Sequence, residues 1–138
     1  MARYVIDASA LLAFVLSGEN RQADEFWSGL NPDDQLIGAQ ILLPECASVI
    51  REQVFLTRTS SDSGQAALAD ALAFRIRVNT DRRQFTRAME LSALTGRRRA
   101  YDMQYLAVAE TEGAELVTAD RGLRQAAIEI NHPVRFLG

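Results

Sequence analysis

Two stretches of the chain share one shape, an apolar run that leads to an aspartate: Tyr4-Val5-Ile6-Asp7 near the start and Leu116-Val117-Thr118-Ala119-Asp120 near the end. Apolar runs of this length suit a strand of a parallel sheet, which is covered on both faces. Such runs alternate along the chain with helix-period segments, and that alternation implies a parallel sheet with helices on both sides. Chemistry in such sheets collects just beyond the carboxyl ends of the strands. The two aspartates lie there.

The pattern predicts a strand over 3–7. A helix capped by Ser9 and carrying Leu11, Leu12, Phe14, Val15 and Leu16 follows it. Residues 17–20 break that helix, a second passes through Ala23, Phe26, Trp27 and Leu30, and Asn31-Pro32-Asp33-Asp34 turns the chain. A short strand is expected at Ile41 to Leu43. Pro44 is then placed at the first position of a helix through Glu45, Val49, Ile50, Val54 and Phe55, where its missing N–H costs nothing. Residues 57–64 read as a loop or a helix start, 66–73 as helix and 75–78 as strand. Thr80 or Asp81 caps a helix through Phe85, Met89, Leu91 and Leu94 that Gly96 ends. A helix over 101–112 is closed by Gly113. Strand 115–118, helix 121–130, a turn at Asn131-His132-Pro133 and a strand over 134–137 complete one domain, 1–138. No repeat or linker interrupts it.

The chain has 138 residues, 48% hydrophobic and 24% charged, enough for a core without staples. All 15 basic residues are arginine, so Schiff-base, P-loop and general-base lysines are excluded. One cysteine, Cys46, permits no internal disulfide and reads as a small core residue. The longest apolar run, Ala10 to Leu16, is too short for a bilayer, and no signal-like segment opens the chain, so a cytoplasmic protein is expected. Net charge is −3; with four site acids set aside the remainder is about neutral to slightly basic.

Those four acids are Asp7, Glu45, Asp102 and Asp120. Asp7 and Asp120 taken singly read as helix caps. Asp102 shares a helix face with Tyr105, Leu106 and Ala109, and Glu45 shares one with Val49. Carboxylates on apolar faces need a cation, because an unpaired buried charge costs several kcal/mol. An arginine or a metal would serve. Acids from four separate elements, near strand ends or helix starts, favour Mg²⁺ or Mn²⁺, which prefer oxygen ligands. With only Cys46 and His132 available, no zinc cluster exists; His132 reads as structural or exposed. An all-carboxylate site without a P-loop suits phosphodiester hydrolysis by metal-activated water.

The segments Val5-Ile6-Asp7-Ala8-Ser9, Leu43-Pro44-Glu45, Tyr101-Asp102 through Ala109-Glu110 and Leu116 to Asp120, in that order, give the chain a clear resemblance to PIN-domain nucleases. Among these it resembles the VapC-type toxins of bacterial toxin–antitoxin pairs. The resemblance implies a three-layer α/β/α sandwich around a parallel sheet. It implies that Asp7, Glu45, Asp102 and Asp120 are catalytic metal ligands, supported by Ser9 and Thr118. It also implies Mg²⁺- or Mn²⁺-dependent cleavage of single-stranded or structured RNA, a homodimer, and an antitoxin lying over the first helices and reaching into the acids. A groove on Leu12, Phe14, Val15, Phe26 and Trp27 would suit such a partner. Arg97-Arg98-Arg99, extended by Arg83 and Arg87, would hold RNA phosphates.

Other readings stay open. A PIN nuclease of RNA processing would share every motif, and a PIN fold without metal could act as a binding module. A response-regulator receiver would need a lysine and paired acids, and an aspartyl-nucleophile phosphatase a second Asp where this chain has Ser9.

Overall fold

A computed structural model describes residues 1–16 and 18–138; Ser17, part of the expected helix break at 17–20, lies outside them. Among the described residues five strands, β1 (Arg3–Ile6), β2 (Gln35–Gly38), β3 (Ile76–Val78), β4 (Glu115–Thr118) and β5 (Val134–Phe136), make one sheet in the order β3-β2-β1-β4-β5. All four pairings are parallel, and β1 sits at the centre with Val5 beside Ile37 and Leu116. Val5, Ile6, Ile37, Leu116 and Val117 are fully buried, as strands covered on both faces must be. The expected α/β architecture is therefore what forms.

Among the described residues seven helices cover the sheet: α1 (Ala8–Val15), α2 (Arg21–Ser28), α3 (Leu42–Phe55), α4 (Ser61–Ala73), α5 (Arg83–Leu94), α6 (Met103–Glu112) and α7 (Arg121–Glu129). They pack in two groups, α1 with α2, α3 and α4, and α6 with α5 and α7. Right-handed crossovers put the two groups on opposite faces, because the chain steps outward from β1 to β3 and then returns to β4 and β5. The direction of winding reverses between β1 and β4, which opens a crevice beyond their carboxyl ends.

Four local expectations give way. The second strand is Gln35–Gly38, and Ile41 to Leu43 lead into α3. The apolar triplet is there because Leu42 folds back over the strand end: a Cβ on Gly38 would meet Leu42 Cδ2 at 2.7 Å and Ile76 Cγ2 at 3.2 Å. Pro44 thus stands in the first turn of α3 but not at its first position, and the helix begins at Leu42 without a side-chain cap. Asp7, not Ser9, caps α1, accepting the Ala10 amide. Neither Thr80 nor Asp81 is the cap residue of α5, which has Arg82 as its cap and begins at Arg83; Asp81 still accepts the Arg83 amide at 2.9 Å. The polar stretch 57–64 divides: Ser60 caps α4, which begins at Ser61. Gly96 (φ 67°) and Gly113 (φ 61°) follow α5 and α6 in the left-handed conformation expected of helix ends.

Candidate active site

Asp7 leaves β1 on the side of the crevice and is 3% exposed. Its carboxylate is held by three donors. The Ala10 amide reaches Oδ1 at 2.8 Å, the Ser9 hydroxyl lies 2.8 and 2.9 Å from the two oxygens, and Thr118 Oγ1 donates to Oδ2 at 2.5 Å. Thr118 is the last residue of the neighbouring β4, so the two strand ends are joined through this acid. Ser9 also accepts the Ala119 amide, and Thr118 accepts the Asp120 amide at 3.0 Å. Both hydroxyls therefore support Asp7, and Thr118 positions the backbone of Asp120 as well. Asp120 caps α7 through the Leu123 amide and is exposed.

Glu45 and Asp102 enter from opposite helical layers. Glu45 lies in the first turn of α3, half-buried, and accepts the Tyr105 hydroxyl on Oε1 at 2.9 Å. Tyr105 is buried in α6, so this bond links the two layers across the strand ends. Asp102 was expected inside the first turn of its helix; it is the residue just before α6, and its carboxylate caps nothing. It instead faces Arg97, whose Nη1 lies 3.4 Å from Oδ2. Arg97 Nη2 donates to the Gly122 carbonyl, and a Cβ at Gly122 would crowd that guanidinium at 3.0 Å.

The electrostatics match an anionic crevice. Burial pushes the Asp7 carboxyl up to about 7, with its hydrogen bonds opposing and Glu45 adding a little. Burial also raises Glu45, against the Tyr105 bond and with the charges of Asp102 and Asp120. Burial raises Asp102 too, partly offset by Arg97 and reinforced by Asp120. Cys46, fully buried behind Glu45, is pushed up to about 12 by burial and the adjacent acids, which makes it an inert core thiol. His132 is a structural residue, its Nε2 2.8 Å from the Ala114 carbonyl.

The four acids thus gather at one edge and sense one another's charge. Among the described residues, however, no three histidine, cysteine, aspartate or glutamate side chains stand close enough to form a ready set of metal ligands. The donor chemistry, four carboxylates and no soft atoms, fits Mg²⁺ or Mn²⁺; the spacing is wider than a closed coordination shell.

Two signals were weak in the sequence. Tyr105 looked like a helix-face core residue, and only the fold shows its hydroxyl on Glu45. Arg97 belonged to an undivided arginine run, yet it is engaged with Asp102. Arg83 and Arg87 do not extend that run: Arg83 pairs with Asp81 at 2.6 Å and Arg87 with Glu110 and Glu90. The expected partner groove also changes its lining. Leu12, Phe26 and Trp27 are buried in the core, and the cavity on this side, about 340 Å³, is lined by Phe14, Val15, Asp70, Ala73 and Phe74.

Solved structures share this architecture. PAE2754 from Pyrobaculum aerophilum matches with a TM-score of 0.68 and 24% identity over 91% of this chain and 84% of its own. VapC20 of Mycobacterium tuberculosis, described as a toxin that cleaves the sarcin–ricin loop, matches at 0.65 and 20% over 89% and 94%. VapBC2 from Rickettsia felis, bound to a promoter DNA fragment, matches at 0.70 and 14% over 99% of each chain. At these identities the likeness is one of fold. No curated protein sequence matches the chain. The PIN domain family matches residues 4–129, nearly the whole chain and all four acids. A doubly wound sheet with Asp7 just after β1, Glu45 in α3, Asp102 just before α6 and Asp120 just after β4 around its crevice, matched over that length, makes this chain a member of the PIN-domain family.

Proposed function

We propose that the protein is a Mg²⁺- or Mn²⁺-dependent endoribonuclease and the toxin of a toxin–antitoxin pair, acting as a single domain in the cytoplasm. The observation that carries this reading is the convergence of Asp7, Glu45, Asp102 and Asp120 on the crevice between β1 and β4, with three of the four carboxyls pushed up by burial and mutual repulsion. An acidic crevice of this kind is completed by a cation. Asp7, Glu45, Asp102 and Asp120 would hold the ion, which when bound supplies an activated water and neutralises charge at the phosphate.

The chain's own residues do the rest. Ser9 and Thr118 lock the Asp7 carboxylate in one orientation. Tyr105 holds one oxygen of Glu45 and leaves the other free. Arg97 neutralises Asp102 in the metal-free state. The arginines beside Asp102 offer guanidinium groups to the anionic backbone of the substrate. Structural neighbours described as VapBC complexes support an antitoxin partner, with the cavity of Phe14, Val15 and Phe74 as its anchoring point. A homodimer belongs to the same reading. Among the described residues no helix is long and apolar enough to cross a membrane.

The test is cleavage of labelled RNA by the purified protein with Mg²⁺ or Mn²⁺, with chelator, and with Asp7→Asn. Metal-dependent cleavage that Asp7→Asn abolishes is the expected result. Cleavage by Asp7→Asn at the wild-type rate sinks the assignment. One observation favours a second reading, a metal-free binding module: no three acids form a ready ligand set, and Arg97 already sits on Asp102. Absence of cleavage together with absence of metal binding would select it. Growth arrest on induced expression separates a toxin from a processing nuclease.

A further inference from the structure

A cleft of about 390 Å³ opens beside the acids, lined by Arg97, Arg98, Arg99, Tyr101 and Asp102. It shares Asp102 with the crevice, so whatever fills the cleft is placed against the acidic site. Its arginines are not equivalent. Arg97 is engaged by Asp102 and the Gly122 carbonyl. Arg98 is exposed and has neither a hydrogen bond nor an ion pair among the described residues. Arg99 is also exposed and has no acidic partner; its Nη1 lies 3.3 Å from the Tyr101 hydroxyl.

Arg51, Arg58, Arg75, Arg82, Arg121 and Arg124 also have no carboxylate partner among the described residues. What sets Arg98 and Arg99 apart is their place in a cleft that shares Asp102 with the acidic site. Tyr101 is 47% exposed, a large fraction for a tyrosine that sits next to a buried helix. Its hydroxyl accepts from Arg99 Nη1, which ties the end of the ring to the arginine run while nearly half the residue stays open to solvent.

Guanidiniums without acid partners bind phosphate oxygens, and an open tyrosine face stacks a nucleobase. In a duplex the base faces are already stacked on one another, so a single ring in a cleft has nothing to receive. We propose that this cleft is a nucleotide subsite: Tyr101 stacks one unpaired base, Arg98 and Arg99 hold the adjoining phosphates, and the strand is thereby directed over Asp102 into the acids. This deepens the reading of the crevice as an RNA-cleaving site and rests on it. It commits the substrate class to single-stranded or looped RNA.

The test measures binding of a short labelled single-stranded RNA, and of a duplex of equal length, to the full-length protein carrying Asp7→Asn so that cleavage does not intervene. The single strand should bind better than the duplex. Tyr101→Ala should weaken single-strand binding on the order of 10-fold, and Tyr101→Phe should retain it. Arg98→Ala and Arg99→Ala should each weaken binding and lower the slope of log affinity against log salt by about 0.7. In the otherwise wild-type enzyme Tyr101→Ala should raise KM more than it lowers kcat. Equal binding of duplex and single strand, or unchanged binding by Tyr101→Ala, overturns the subsite while RNA cleavage by the wild type leaves the nuclease assignment standing. Failure of the wild type to bind or cleave any RNA overturns both. Binding of an acidic peptide in preference to RNA, dependent on Arg98 and Arg99, makes the cleft a protein contact and overturns it as well.

Discussion

The Asp7 carboxylate accepts the Ala10 amide and the Ser9 and Thr118 hydroxyls, so it serves as helix cap, strand tie and candidate ligand together. Burial sets its carboxyl at about 7, above the 3.8 of an exposed aspartate. A folded-state value raised in this way means that the native protein binds the proton more tightly than the unfolded chain. The contribution to stability is full below about pH 4, falls as pH rises from 4 to 7, and has vanished above that. The metal-free protein should therefore melt at a lower temperature at pH 8 than at pH 5. Asp7→Asn, an equally good cap that carries no charge, should flatten that slope and melt several degrees higher at pH 8. A melting curve series across pH checks both; a wild-type melting temperature that rises from pH 5 to 8 without metal contradicts the first. Tyr105 gives a second residue-scale prediction. Tyr105→Phe keeps the buried ring and removes the Glu45 bond, so it should cost about 1.5 kcal/mol of stability. It should also weaken Mn²⁺ binding by calorimetry roughly 10-fold, since the carboxylate loses its fixed orientation.

At the scale of elements, the starts of α1 and α7 are held by acids that the site also needs. The two roles separate by substitution. Asp120→Ala should lose about 1 kcal/mol with the cap on the Leu123 amide, whereas Asp120→Asn should stay within about half of that. Both should lose metal-dependent cleavage, because neither offers a carboxylate; denaturant melts and a cleavage assay on the same preparations distinguish them. The other two acids come from helices that start without side-chain caps, α3 and α6. Their carboxylates are left free of capping duty, and Tyr105 and Arg97 take up that freedom. The arginines divide as well. Arg87 on α5 reaches an acid on the neighbouring helix, whereas Arg51 on α3 and Arg124 on α7 lie over aromatic rings instead. On the connection between α5 and α6, Arg97 turns inward onto Asp102, and Arg98 and Arg99 point to solvent without an acid partner.

On the scale of the whole molecule, Glu112 at the end of α6 gathers Arg3 of β1, Arg77 of β3 and Asn79. Hydrogen bonding from Arg77 and then Asn79 holds its carboxyl below the usual range. Its contribution has the opposite sign to that of Asp7: present above about pH 4.5 and lost as pH falls. Glu112→Gln should cost about 1–2 kcal/mol near neutral pH, read by urea denaturation, because the three donors span the sheet from one edge to its centre. With Asp7 and Glu112 opposed, the metal-free protein should be most stable between about pH 4 and 5. Mg²⁺ or Mn²⁺ at millimolar levels should raise the melting temperature at pH 8 and remove the alkaline decline, since the ion binds the ionised acids of the native state. No shift in melting temperature across that range of metal would count against the site.

Much of this was readable from neighbouring residues. Uninterrupted apolar runs marked β1 and β4, glycines at Gly96 and Gly113 marked helix ends, and Asp7 and Asp120 at the strand ends marked the crevice, because each depends on chemistry within a few positions. The second strand was misplaced for the complementary reason: Gln35–Gly38 has little apolar signal, and it is a strand because β1 and β3 flank it and Leu42 folds over its end. The order of the sheet, the meeting of Glu45 with Tyr105, the capture of Arg97 by Asp102 and the freedom of Arg98 and Arg99 are contacts between residues far apart in the chain or turned by its three-dimensional path. Local pattern carries no information about them. They follow from how the helical layers close over the strand ends, where burial raises the acids and proximity decides which charge finds a partner.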